Sequence, residues 1–95
     1  MDKISTYIGF AIKSGNFLRG TDAVKMYKKR IFLIILCKNA AFNTQKDITD
    51  FASYRKIPLI ITTDFTLEEI TGKENCKVIG IIDKNLAQAI IQNNT

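Results

Sequence analysis

Apolar residues recur along this chain with two different periods. Ile4, Ile8, Ala11 and Ile12 return at the three-to-four spacing of a helix, with Asp2 placed to cap it and Gly15 to end it. Residues 17–19 suffice for a very short strand, after which Gly20 turns the chain. Thr21 or Asp22 is then the expected cap of a second helix that carries Ala23, Val24 and Tyr27 inward. The run IFLIILC over residues 31–37 is continuous, β-branched and aromatic, and too short for a buried helix, so it predicts a strand covered on both faces.

The remaining chain repeats the alternation. Residues 38–42 form a loop, and Asn43 or Thr44 caps a third helix to about Lys56, with Ile48, Phe51 and Ala52 on one face. Pro58 breaks that helix and opens a second buried strand over residues 59–62. Thr63 or Asp64 caps a short helix holding Leu67 and Ile70, and Gly72 stops it. Residues 77–82 predict a third long strand, and Asp83 caps a last helix with Leu86, Ala89, Ile90 and Ile91 apolar. Strands alternating with helices predict an α/β fold: a three-layer α/β/α sandwich with a small mixed sheet, formed by one domain over residues 1–95.

Composition narrows the chemistry. The chain has 95 residues, 46% hydrophobic and 24% charged, a globular balance with room for only a modest core. Its longest apolar run falls far short of the ~20 residues of a membrane helix, and no secretory leader is evident, so a cytoplasmic protein without membrane contact is expected. Histidine is absent, and neither Cys37 nor Cys76 has a Cys-x-x-Cys partner, so no metal, disulfide or cofactor is expected. Without histidine, a phosphate loop, a dinucleotide fingerprint or a nucleophile elbow, an enzyme acting on a small anionic metabolite is disfavoured and no catalytic residue is assigned.

Charge points towards binding instead. Residues 1–46 hold nine Lys or Arg against two Asp, whereas residues 47–95 hold five against seven acidic residues. An anionic partner would therefore dock on the N-terminal half. The stretch FLRGTDAVKMYKKR concentrates the feature: a glycine turn, a helix start whose amides could face phosphate, and Lys25 and Lys28 spaced to share a helix face. The same residues fit an ordinary capping turn followed by a solvated cationic helix end.

The order of signposts resembles the kink-turn-binding ribosomal-protein family of the L-seven-Ae and L-thirty-e type, in particular its small bacterial members. IGFAIKSGNFLRG is similar to the family's opening Leu-Gly-x-Ala-x-x-x-Gly-x-x-x-x-Gly. LIILCKNAAFNTQKDITDFA is similar to its long strand followed by an Asn-Thr-capped helix. YRKIPLI resembles its entry to the next strand, and LEEITGK followed by VIGIID resembles its Gly-Lys loop and final strand. The resemblance implies an L-thirty-e-like fold and a non-enzymatic protein that binds structured RNA, either ribosomal RNA or a kink-turn-like shape, with the ribosome as a further partner and a monomer favoured. It implies an RNA surface made of the Gly20 turn with its helix start and the loop over residues 72–76. The candidate contacts are Lys13, Arg19, Gly20, Thr21, Asp22, Lys25, Lys28, Lys38, Lys73, Asn75 and Cys76. Where the family carries Gly-x-Asn-Glu-x-x-Lys, this chain has Gly20, Asp22, Ala23 and Met26, which shifts the expectation from base-edge to backbone contacts. The alternative is a protein-interaction module of the same fold that has lost RNA binding.

Overall fold

The computed structural model describes residues 3–62, 66–72 and 76–93. Its elements run α1 (Lys3–Ser14), β1 (Phe17–Arg19), α2 (Thr21–Met26), β2 (Leu33–Leu36), α3 (Phe42–Arg55), β3 (Leu59–Ile61), α4 (Leu67–Thr71), β4 (Val78–Ile81) and α5 (Lys84–Gln92). The strands form one mixed sheet in the order β1-β4-β2-β3. β2 lies parallel to β3 and antiparallel to β4, and β1 is antiparallel to β4.

The period of two along the strands divides the core. Leu33, Ile35, Ile79 and Ile81 point to one face, where Ile8, Ala11, Leu67, Ala87 and Ile90 from α1, α4 and α5 cover them. Ile34, Leu36 and Val78 point to the other, against Val24 of α2 and Ile48 and Ala52 of α3. Helices on both faces explain why β2 is apolar at every position. Gly80 lets α2 come close to the sheet, since a Cβ there would lie 3.2 Å from Val24 Cγ2.

Several boundaries and caps differ from the sequence expectation. β2 is shorter than residues 31–37, although Phe32 N still donates to Ile81 O and Cys37 N to Lys77 O. β3 is an edge strand rather than a fully buried one, and Ile61 is 47% exposed. Ala41, without a side-chain bond, precedes α3, so neither Asn43 nor Thr44 caps it and Phe42 belongs to the helix. That helix stops at Lys56, which is left-handed, before Pro58 is reached. Thr66 caps α4 by accepting from Glu69 N, while the positions named from sequence, Thr63 and Asp64, lie outside the described residues, as does Asp2. Asp83 caps α5 as expected, its Oδ1 accepting from Asn85 N and Leu86 N.

Candidate nucleic-acid interface

The candidate surface is built at the end of the sheet where β1 and β2 finish and β4 begins. β1 delivers Arg19 there as its last residue, paired with Ile79 across the ladder and exposed at its side chain. Gly20 N donates to Val78 O at 2.9 Å, which carries the ladder one residue past the strand. The backbone then turns at Gly20 with φ 95° and ψ 158°, a conformation open to glycine and costly for residues with a Cβ. Gly20 O accepts from Val24 N and so opens α2.

No side chain caps this helix. The expectation that Thr21 or Asp22 would do so is corrected: the cap position falls on Gly20, because that is where the backbone leaves the strand. By helix geometry, the first-turn amides of Thr21, Asp22 and Ala23 have no intrahelical acceptor, and the turn lies at the same end of the sheet as Arg19. Ala23 is exposed, not inward; within α2 only Val24 is buried, and Tyr27 packs beside it.

Lys38 arrives from the neighbouring strand. Its amide donates to the hydroxyl of buried Thr62 at 3.1 Å, which fixes the chain just after β2 while the side chain stays exposed. A polar cluster that sequence reasoning missed braces the same end. Lys77 Nζ lies 2.6 Å from Glu68 Oε1 and 3.2 Å from Asn39 Oδ1, and the Cys37 thiol donates to that same Asn39 oxygen at 2.7 Å. These bonds join the loop after β2, helix α4 and the start of β4. Separations of 38 and 9 residues leave no local signal for them.

Cys76 is at this end too, but its side chain is 3% exposed and belongs to the core. Burial pushes its thiol pKa up, an effect that a Thr71 hydrogen bond and the Arg19 charge partly oppose. Lys73 and Asn75 lie outside the described residues.

Three other candidates are placed differently. Lys25 is engaged with Asp47 of α3, its Nζ 3.0 Å from both carboxylate oxygens. Lys28 does not share a helix face with it, because α2 ends at Met26 and Tyr27 is extended, taking the chain back towards the start of β2. Lys13, on the last turn of α1, sits where β1 begins. Arg19, Gly20, Thr21, Asp22 and Lys38 are thus brought to one end of the sheet, with the Cys76 backbone beside them; Lys13 and Lys28 lie at the other end.

No protein-family model matches the chain. It is similar to the RNA-binding protein YlxQ of Bacillus subtilis (strain 168), with 29% identity over 87 residues, 88% of this chain and 87% of that protein. Its fold is similar to that of a solved protein of unknown function from Bacillus halodurans C, with a TM-score of 0.88 and 23% identity over 97% of this chain and 96% of that one. The four-stranded mixed sheet flanked by helices is the L-thirty-e-like fold. Among the described residues, no helix is long and apolar enough to cross a membrane.

Proposed function

We propose that this chain, a member of the L-seven-Ae and L-thirty-e family, is a non-enzymatic protein that binds structured RNA through the Gly20 end of its sheet. The observation that carries the proposal is the convergence there of Arg19, Lys38 and the uncapped first turn of α2. Amides without an intrahelical acceptor and exposed cations suit phosphate oxygens, which accept hydrogen bonds and carry charge but no sequence information. Lys73 and Asn75, between Gly72 and Cys76 in the chain, are assigned to the same surface. Asp22 in the first turn of α2 weakens phosphate contact, so shape and backbone dominate over base-edge readout. Similarity to an RNA-binding protein over most of both chains supports RNA as the anion, and a bacterial ribosomal or other structured RNA is the candidate target.

An electrophoretic shift at low salt against a kink-turn and a plain duplex tests this. Binding is expected for both, weakened by Arg19→Ala and Lys38→Ala and strengthened by Asp22→Asn, which removes a charge and supplies an amide donor. Restoring Asn, Glu and Lys at positions 22, 23 and 26 is expected to raise the preference for the kink-turn. No affinity for any structured RNA would overturn the proposal and favour a protein-interaction module. Met26 supplies the observation for that second reading: it is 76% exposed at the position where the family carries Lys.

A further inference from the structure

At the far end of the sheet, where β2 and β3 begin, an open groove of about 770 Å³ runs between the C-terminus of α3 and the exposed side of α5. Six cations line it: Lys28, Lys29, Arg30, Arg55, Lys56 and Lys84, all exposed. Among the described residues, no carboxylate lines it. Elsewhere two cations are paired, Lys25 with Asp47 and Lys77 with Glu68. Among the described residues, none of these six has an acidic partner within ion-pair distance.

We infer that this groove is a second binding surface for the phosphate backbone of RNA, separate from the Gly20 end. Concentrating like charge opposes folding, and a polyanion relieves that repulsion. The groove's form fits an extended anion better than a small one. It is open to solvent, its six cations are exposed and come from separate segments, and apolar Ile31, Phe32, Pro58 and Ile91 share its lining. Two guanidiniums are held against rings, Arg30 at 5.3 Å from the Phe32 centroid and Arg55 at 5.5 Å from that of Phe51. Stacking fixes each planar head and leaves its N–H edge for phosphate. Three separate chain segments supply the charge: the return from α2, the end of α3 and the start of α5. The choice of RNA as the polyanion rests on the proposed function, whereas the position of the groove rests on its own geometry.

Fluorescence anisotropy with labelled duplex RNA across a salt series tests the inference, with the triple variant Lys29→Ala/Arg55→Ala/Lys84→Ala set beside Arg19→Ala/Lys38→Ala. Each lost phosphate contact flattens the log–log salt dependence by about 0.9, so the triple variant is expected to lose about 2–3 units of slope and roughly 10²-fold in affinity at 0.1 M salt. All three residues are exposed, and circular dichroism verifies that the variant folds. An unchanged slope in a folded variant would overturn the groove. So would a groove that bound poly-glutamate while the triple substitution left RNA affinity intact, since its partner would then be an acidic protein. If instead the triple variant loses affinity and the Arg19/Lys38 variant does not, the groove stands and the Gly20 surface falls.

Discussion

Lys25 Nζ lies 3.0 Å from both oxygens of Asp47, so the one lysine of α2 is already partnered within the fold. The pair ties α2 to α3, but its side chains are 40% and 47% exposed, and solvent limits its worth to at most about 1 kcal/mol. RNA would have to compete with Asp47 for this ammonium. Asp47→Asn is therefore expected to change stability little and to raise RNA affinity a few-fold. Lys25→Ala should flatten the salt slope by less than one unit in the wild type and by nearly a full unit in the Asp47→Asn background. A double-mutant cycle measured by anisotropy checks this; equal effects of Lys25→Ala in both backgrounds would show that the ion pair does not restrain the lysine.

The core makes a larger prediction. Ile34 is fully buried, pairs with Leu59 and Gly80 across the sheet and faces the α2–α3 layer. Ile34→Ala removes methyl groups that the surrounding strands cannot collapse to replace, at an expected cost of about 2–5 kcal/mol in urea unfolding. A loss below about 1 kcal/mol would contradict the packing described for this face.

This part of the molecule was legible in the sequence. Spacings of three and four marked the helices around Ile8, Ile48 and Ile90, and the continuous run through Ile34 marked a strand with helices on both sides. The ends of elements were harder, because they depend on where the chain must go next. Thr21 and Asp22 have the chemistry of caps, yet Gly20 takes the position because its amide is held by Val78 O, a residue distant in sequence. Lys28 has helical spacing from Lys25, but the helix stops after six residues so that the chain can return to β2. The Lys25–Asp47 pair and the burial of Cys76 are likewise products of tertiary contact. The family resemblance pointed to the Gly20 end, whereas the far groove is assembled from three segments, of which sequence marked only the Lys28 run as basic.

Cys76 gives the fold a pH dependence in alkaline solution. Burial is the largest influence on its thiol and raises the pKa above the ordinary 9.0. Below that value both folded and unfolded states hold the proton, and the thiol contributes no slope. As pH rises past 9.0 the unfolded state ionises first and binds fewer protons than the folded one, so stability falls until the folded thiol also ionises. Cys76→Ser removes this titration. The stability lost between neutral and strongly alkaline pH should be smaller in the variant than in the wild type, as read from urea midpoints. An equal loss in both would mean that the thiol is not held in its neutral form.

Lys56 separates stability from binding at a single position. It is the one described non-glycine residue with positive φ, at 58°, where it closes α3 with its amide donating to Ala52 O and Ser53 O. A side chain in this left-handed conformation costs about 1–2 kcal/mol, and glycine avoids that cost while giving back part of it as chain entropy in the unfolded state. Lys56→Gly is therefore expected to stabilise the protein by up to about 1 kcal/mol. The same change removes one cation from the groove beneath α3 and α5. If the groove holds RNA, the variant becomes more stable and binds more weakly, with a salt slope flatter by up to about 0.9. Lys56→Asn, which also tolerates the left-handed region, should behave alike in both respects. Thermal unfolding and anisotropy on the same samples distinguish the outcomes. A stabilised variant with undiminished affinity would leave Lys56 as a strained helix end with no part in the groove.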